Sequence, residues 1–284
     1  MTRRTNGIFP SAEALALEPA LVEQILTGFI ADETRRAGRS RVVVGLSGGL
    51  DSAVATALAR RALGAQGVVA VLLPYRQSSR TSLTHARLMA RALRVRTELF
   101  DISPMVDAWF QAEPSADRVR RGNKMARERM SILYDRSAAH HALVLGTSNK
   151  TELLLGYGTL HGDMASAINP LGDLYKTQVR RLAAHLGVPA SIRRKPPSAD
   201  LWAGQTDEKE MQLRYDEVDR LLYLLVDERW DRKGAIDAGW PPAMVDRVRR
   251  MIARSQYKRR PPLIAKISQR TVGVDFRYPR DWGT

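Results

Sequence analysis

One segment, Gly45-Leu46-Ser47-Gly48-Gly49-Leu50-Asp51-Ser52, carries the clearest signal in this sequence of 284 residues. It follows the apolar run Val42–Val44 and precedes Ala53–Ala59, an order that predicts a strand, a glycine-rich turn and a helix. Paired glycines let a backbone approach a ligand closely, and the N–H groups that open a helix attract an anion. Ser47 and Ser52 add hydroxyl donors, so the segment predicts a phosphate-binding loop.

An acidic residue at the end of this loop distinguishes it from the phosphate-binding loop of kinases. The kinase-type loop ends in Gly-Lys-Ser/Thr, whereas here Asp51 stands beside the last serine. A carboxylate next to a polyphosphate is repelled unless a divalent cation lies between them, so we interpret Asp51 as a Mg²⁺ ligand. The alternative is a surface turn in which Asp51 and Ser52 only cap the following helix.

The order of elements around the loop predicts an α/β fold, with a doubly wound, mainly parallel sheet flanked by helices. Strands that alternate with helices favour a parallel sheet covered on both faces. Beyond Lys176 the pattern becomes mainly helical and includes one long helix at Asp207–Trp230. Before that point, helical patterns alternate with predicted strands at Arg41–Leu46, Val68–Leu73, Arg96–Ile102 and Ala142–Leu145.

The composition excludes several classes of protein. The sequence contains no cysteine, which rules out disulfides, thiolate metal sites and a thiol nucleophile in this chain. Lys and Arg outnumber Asp and Glu by 45 to 30, and the net charge of +15 indicates either a polyanionic partner or solvated basic faces. No apolar stretch reaches the roughly 18 residues of a membrane span, and no signal-peptide pattern opens the chain. We therefore expect a cytoplasmic protein.

A second motif, Gly146–Glu152, follows the predicted strand Ala142–Leu145. Loops at the carboxyl ends of neighbouring parallel strands face one crevice, so this motif should lie opposite the first loop. Thr147 can donate a hydrogen bond to a ligand, and Glu152 can supply a second carboxylate to Mg²⁺. The alternative is that Glu152 only complements the positive end of a helix.

Together with three later segments, these motifs resemble the NAD synthetase family. The segments are Gly156–Asp163, Asn169–Gln178 and Lys195–Glu208, and the resemblance extends from about Leu21 to Lys258. The family belongs to the N-type ATP pyrophosphatases, which implies an adenine nucleotide α-hydrolase-like fold. It also implies a single synthetase domain over 1–284, with an N-terminal arm at 1–20, an α/β nucleotide-binding core at 21–187, and a substrate loop with a helical C-terminal region at 188–284.

The resemblance implies a ligase that performs the final step of NAD biosynthesis. The nicotinate carboxylate of deamido-NAD (nicotinic acid adenine dinucleotide) attacks the α-phosphate of ATP, and pyrophosphate leaves. Ammonia then attacks the acyl-adenylate, and AMP leaves as NAD forms. Mg²⁺ is the implied cofactor. A homodimer with Asp117–Ala139 as an interface helix is also implied, and neither nucleic acid nor a membrane is expected as a partner.

The family's functional residues can be carried over position by position. ATP binding falls on the whole segment from Gly45 to Ser52 and on Thr147, Lys176 and Ser198, while Mg²⁺ binding falls on Asp51 and Glu152. The catalytic positions are Asp51, Lys176 and Asp163. The positions that match deamido-NAD contacts are Arg127, Leu160, Asp163, Ala167, Tyr257 and Lys258. Ammonia-dependent members carry lysine, aspartate and histidine at three of these positions, occupied here by Leu160, Ala167 and Tyr257.

Two other classes stay open on the residues alone. A tRNA-modifying pyrophosphatase would explain the charge of +15, but it normally brings an RNA-binding domain or a catalytic cysteine. A non-catalytic nucleotide-binding protein would have no need for both acids, Asp51 and Glu152.

Overall fold

The structure, a computed structural model, describes residues 12–202 and 204–276. The N-terminal arm predicted at 1–20 therefore lies partly outside the described residues, and so does the end of the C-terminal region, 277–284. Within the described part of the arm, a short 3-10 turn spans Ala12–Leu15.

A parallel sheet forms the centre of the molecule. Its strands are β1 at Val42–Gly45, β2 at Val68–Leu72, β3 at Arg96–Leu99 and β4 at Leu143–Leu145. They lie in the order β3-β2-β1-β4, because the chain runs outward from β1 through β2 to β3 and then returns to place β4 on the other side of β1. This reversal is the topological switch point of a doubly wound fold, so the predicted fold class is confirmed.

Helices cover both faces of the sheet because the central strands are apolar on both sides. The helices are α1 Pro19–Arg36, α2 Leu50–Leu63, α3 Arg80–Leu93, α4 Ser103–Gln111, α5 Arg118–Ala139, α6 Lys150–Leu155, α7 Lys176–His185, α8 Ala190–Arg193, α9 Asp207–Met211, α10 Tyr215–Leu222, α11 Arg232–Asp237 and α12 Pro242–Arg254. Val42 and Val44 face the cluster that contains α1, α2 and α7, and Val43 faces the cluster that contains α4 and α5.

The prediction of a single long helix at Asp207–Trp230 is wrong. Gln212 adopts a left-handed backbone with φ of 50° and ends α9, and a π-helical turn at Tyr223–Asp227 follows α10. The break lets the Tyr215 hydroxyl donate to the Asp207 carboxylate at 3.2 Å. A continuous helix would separate these residues by about 12 Å along its axis, so it could not form this contact.

The predicted strand at Arg96–Ile102 is also shorter in the structure. Regular pairing ends at Leu99, although the N–H groups of Phe100 and Ile102 still donate to the β2 side of the sheet at 2.9 and 3.0 Å. The chain must leave the sheet here because α4 begins at Ser103.

The helices from α9 to α12 form a third apolar cluster beside the sheet, and the fully buried Tyr215 lies inside it. The first of these helices, α9, brings Asp207 and Glu210 to the carboxyl end of the sheet. Within residues 12–202 and 204–276, we find no helix with the length and apolarity needed to cross a bilayer.

Candidate active site

A cavity of about 520 Å³ lies at the carboxyl ends of β1 and β4, at the switch point of the sheet. Its volume falls within the range of small-molecule sites. Both predicted loops reach it, which confirms that they face the same crevice. From the first loop and the second motif the lining comprises Gly45, Leu46, Ser47, Gly49, Leu50, Asp51, Ser52, Gly146, Thr147, Ser148 and Glu152.

The first loop is held by its own hydroxyls and by close contact with α3. The hydroxyls of Ser47 and Ser52 lie 3.0 Å apart, and the Gly49 N–H donates to Ser47 Oγ at 3.2 Å. Gly48 has φ of +79° and faces away from the cavity, and a Cβ there would lie 2.0 Å from the carbonyl oxygen of Ser82. Only glycine fits at this position, and the loop is therefore fixed where α2 presents its first N–H groups to the cavity.

Two carboxylates converge on one buried cation. The Lys176 ammonium donates to Asp51 and lies 3.9 Å from Glu152 Oε1, and only 3% of its side chain is exposed. Burial raises the pKa of Glu152 well above its usual range, and the Asp51 charge adds to this effect. For Lys176 burial acts in the opposite sense, but the charges of Asp51 and Glu152 outweigh it and raise the lysine pKa.

The donor set at this position suits Mg²⁺. Mg²⁺ is usually bound by one or two carboxylates together with substrate phosphates and water. Asp51 and Glu152 provide two carboxylates that already surround a cation, beside the hydroxyls of the phosphate-binding loop. No group of three or more His, Cys, Asp or Glu side chains suited to a metal occurs in the part of the chain that the structure describes. A metal here would therefore draw its other ligands from a phosphate and water.

Thr147, Lys176 and Ser198 also line the cavity. The Ser198 hydroxyl accepts a hydrogen bond from the Asp200 N–H at 3.0 Å, which shapes the loop that closes one side of the cavity. The positions predicted to contact ATP thus lie together, except that Gly48 supports the loop from behind.

The predicted dinucleotide positions divide into two groups. Asp163 and Lys258 line the cavity. The Lys258 ammonium donates to the carbonyls of Gly156 and Gly158 at 2.8 and 2.7 Å, and burial lowers its pKa. Asp163 Oδ1 accepts from the Thr159 N–H at 2.7 Å, and burial raises the pKa of this carboxyl.

The other four positions, Arg127, Leu160, Ala167 and Tyr257, do not line the cavity. Arg127 is exposed on α5, and its Nε donates to the carbonyl of Leu160 at 3.1 Å. The Ala167 N–H donates to the carbonyl of Val144 at 2.9 Å, and 61% of Tyr257 is exposed. Their assignment to the substrate stays a prediction.

Several residues of the site were not singled out from the sequence. Asp207 is 4% exposed and accepts from the hydroxyls of Tyr157 and Tyr215 at 3.1 and 3.2 Å, and burial raises its pKa. Arg129 lines the cavity and donates from Nε to the carbonyl of Leu73 at 3.0 Å. Residues two apart on a helix point about 200° apart, so Arg129 faces inward where Arg127 faces outward.

Lys195 and Asn149 complete the group that sequence reasoning missed. Lys195 lines the cavity and donates to Ser82 Oγ at 2.6 Å, and burial lowers its pKa. Asn149 is fully buried and contacts both Asp51 and Glu152. Its position before Lys150 signals a helix N-cap in the sequence, but nothing local to it points to Asp51.

Comparisons with known proteins point to one family. A family model described as NAD synthase matches residues 22–262. The ammonia-dependent NAD⁺ synthetase of Chlorobaculum parvum is 58% identical over 268 residues, which cover 94% of this chain and 97% of that protein. Among solved structures, the NMN synthetase of Francisella tularensis superposes with a TM-score of 0.79 at 33% identity, over 88% of this chain and 99% of the other. The ammonia-dependent NAD synthetase of Campylobacter jejuni gives 0.76 at 31% identity, over 88% and 100%.

Proposed function

Because the chain belongs to the NAD synthase family, we propose that it amidates deamido-NAD to NAD with ATP and ammonia and releases AMP and pyrophosphate. The observation that carries this proposal is the meeting of Asp51, Glu152 and Lys176 beside the phosphate-binding loop. Carboxylates placed against a polyphosphate loop are useful only to an enzyme that brings a divalent cation with its nucleotide.

The side chains have separate tasks in this reaction. Asp51 and Glu152 would hold Mg²⁺, which when bound neutralises charge on the leaving pyrophosphate. The N–H groups of α2 and the hydroxyls of Ser47 and Ser52 bind phosphate oxygens, and Lys176 adds a buried positive charge. The nicotinate carboxylate is itself the nucleophile, so the first step needs no nucleophilic side chain.

The nitrogen source follows from the composition. An enzyme that takes ammonia from glutamine through a cysteine nucleophile requires that cysteine, and this chain has none. Asp163 and Lys258 stand at the part of the cavity that we assign to the nicotinate end of the substrate. Burial raises the pKa of Asp163, which makes its carboxylate a better acceptor for a proton from incoming ammonium than an ordinary aspartate.

The proposal is tested by incubating the purified chain with ATP, Mg²⁺ and deamido-NAD and measuring the NAD and AMP that form. The two products should appear in equal amounts. Ammonium should support the reaction, and ammonia-free glutamine should not. Nicotinic acid mononucleotide is the matched alternative substrate, because the Francisella tularensis NMN synthetase superposes so closely. Faster amidation of the mononucleotide would show that the mononucleotide, and not the dinucleotide, is the substrate. If AMP forms with neither of the two compounds, the proposal is contradicted.

We further propose a homodimer that uses α4 and α5. These helices expose large apolar side chains, with Trp109 at 57%, Val119 at 58% and Tyr134 at 45%. Exposed apolar side chains on adjacent helices are typical of an interface between copies. Light scattering should give twice the mass of the chain, and a monomer would contradict this proposal. The cytoplasmic location stays a prediction.

A further inference from the structure

Asn149 connects the two acids of the site, because its side chain contacts the Asp51 carboxylate and its backbone N–H contacts the Glu152 carboxylate. It caps α6, and its Oδ1 accepts a hydrogen bond from the Glu152 N–H at 3.0 Å. Its Nδ2 donates to Asp51 Oδ1 at 3.1 Å, across 98 residues of sequence. The Asn149 N–H in turn donates to Glu152 Oε2 at 3.1 Å. One residue thereby contacts the side chains of both acids.

The chemistry of the amide explains why asparagine stands here. Oxygen-bearing side chains such as Asp and Ser also cap helices well. However, Asp lacks a donor, and the Ser hydroxyl is too short both to accept from the Glu152 N–H and to reach a carboxylate on another helix. The Asn149 amide does both, and with 0% exposure it has no water to compete for either contact.

We propose that Asn149 is a positioning residue, which fixes the Asp51 and Glu152 carboxylates at the separation that Mg²⁺–ATP requires. The inference rests on the proposed function, since it presumes that these acids bind the metal together with the nucleotide. Asp51 lies in the first turn of α2, after β1, and Glu152 lies in α6, after β4, so their separation is not set by local geometry.

The contacts of Asn149 matter because the other group that links Asp51 and Glu152 is the charged side chain of Lys176. Lys176 contacts Asp51 and lies near Glu152, but its ammonium is also the group expected to bind phosphate. When Lys176 turns to a phosphate, the contact to Asp51 weakens. The neutral Asn149 amide is not drawn to the phosphate by charge, so its hydrogen bond to Asp51 persists and holds this carboxylate toward the metal position while the nucleotide binds.

The test distinguishes the hydrogen bond from Asn149 to Asp51 from the role of Asn149 as the N-cap of α6. Asn149→Ser and Asn149→Asp both keep an oxygen that can accept from the Glu152 N–H, but neither keeps the amide donor to Asp51. Calorimetry with a non-hydrolysable ATP analogue should show affinity reduced about tenfold or more for both variants at limiting Mg²⁺, and less at saturating Mg²⁺. The aspartate variant should suffer more, since it places a negative charge against Asp51. Thermal unfolding of the free Asn149→Ser protein should stay close to that of the native chain, whereas the buried charge of Asn149→Asp is expected to lower its stability.

The matched control is Asp231→Ser, which changes the cap of α11, another six-residue helix, whose Asp231 accepts from the Gly234 N–H at 2.7 Å. It should leave Mg²⁺-dependent analogue binding unchanged. Native-like binding by a folded Asn149→Ser variant at limiting Mg²⁺ would overturn the inference. So would failure of both Asn149 variants to fold while Asp231→Ser folds, because Asn149 would then be a structural cap. If the native chain itself binds no analogue, the proposed function fails first.

Discussion

The ammonium of Lys176 forms an ion pair with the carboxylate of Asp51 inside the cavity, and Glu152 Oε1 lies 3.9 Å from the same nitrogen. The lysine thus occupies the place between two acids where the proposed metal would be bound. A buried charge that loses its partner destabilises a protein strongly. The free protein therefore uses Lys176 as an internal counter-ion.

Replacement of this counter-ion should make the fold depend on Mg²⁺. We expect Lys176→Met to lower the free energy of unfolding by about 3 kcal/mol in the absence of divalent cations, because two carboxylates lose a shared cation. Added Mg²⁺ should recover part of this loss, as measured by urea unfolding with and without the metal. Lys150→Met is the control, since Lys150 also contacts two carboxylates, Asp173 at 3.0 Å and Asp227 at 2.6 Å, but outside the cavity. Equal Mg²⁺ effects in both variants would contradict the assignment.

The two acids should be individually necessary for turnover. We expect Asp51→Asn and Glu152→Gln each to slow NAD formation by about a hundredfold, roughly 3 kcal/mol in the activation barrier. Each change removes one charge from the proposed Mg²⁺ site while it keeps the shape of the side chain. Asp246→Asn, at a surface carboxylate paired with Arg232, serves as the control and should be neutral. Steady-state rates at saturating Mg²⁺ decide the matter, and near-native rates in either site variant would remove that residue from the metal site.

A second ion cluster, far from the chemistry, predicts how stability responds to pH. Glu98 of β3 accepts from Arg136 Nε at 2.9 Å and lies 2.9 Å from His140 Nε2, both on the α5 side of the sheet. Burial works to raise the pKa of Glu98, but the hydrogen bonds from Arg136 and His140 outweigh it and hold the pKa below its ordinary value of 4.5. Since the folded state lowers this pKa, the ionised form contributes stability above pH 4.5, and the contribution is lost as the pH falls through the lower, folded value.

Glu98→Gln should therefore cost about 1–3 kcal/mol of unfolding free energy at pH 7, and progressively less as the pH falls below 4.5. Urea unfolding at several pH values measures the difference between variant and native protein. Glu113→Gln, at an exposed pair with Arg120, should show almost no cost at any of these pH values. A cost for Glu98→Gln that is constant from pH 7 to below pH 4 would exclude an electrostatic origin.

The sequence predicted the features that lie within short motifs, but not the contacts between residues that are distant in the sequence. The phosphate loop and Glu152 belong to short motifs directly after apolar strands, so their type and their common crevice could be predicted. Asn149 looks like any helix cap until the fold brings Asp51, 98 residues away, to its amide. Asp207 reads as the first acid of a long helix, and its contact with Tyr215 exists only because that helix breaks at Gln212.

Two of the arginines of α5, Arg127 and Arg129, illustrate the same limit and lead to the last prediction. Arg127 matches a substrate position by motif, but the structure places it outside the cavity with its Nε on the carbonyl of Leu160, whereas Arg129 lies inside. If Arg127 holds a phosphate of deamido-NAD, the dinucleotide must extend beyond the rim of the cavity, toward the proposed dimer interface on α5. An arginine can bind a phosphate through two parallel hydrogen bonds, a geometry that lysine cannot reproduce.

We therefore expect Arg127→Ala to raise the KM for deamido-NAD about tenfold, with a much smaller change in the KM for ATP, and Arg127→Lys to recover only part of the loss. Arg129→Ala should instead affect both substrates and lower the stability, because it removes a cation that interacts with Asp163 and Asp200 inside the cavity. Arg120→Ala on the exposed side of α5 is the control. Steady-state kinetics with each substrate varied in turn, together with light scattering of every variant, tests the assignment. An unchanged dinucleotide KM in a dimeric Arg127→Ala protein would take Arg127 out of the site, and would leave Arg129 as the arginine that this helix contributes.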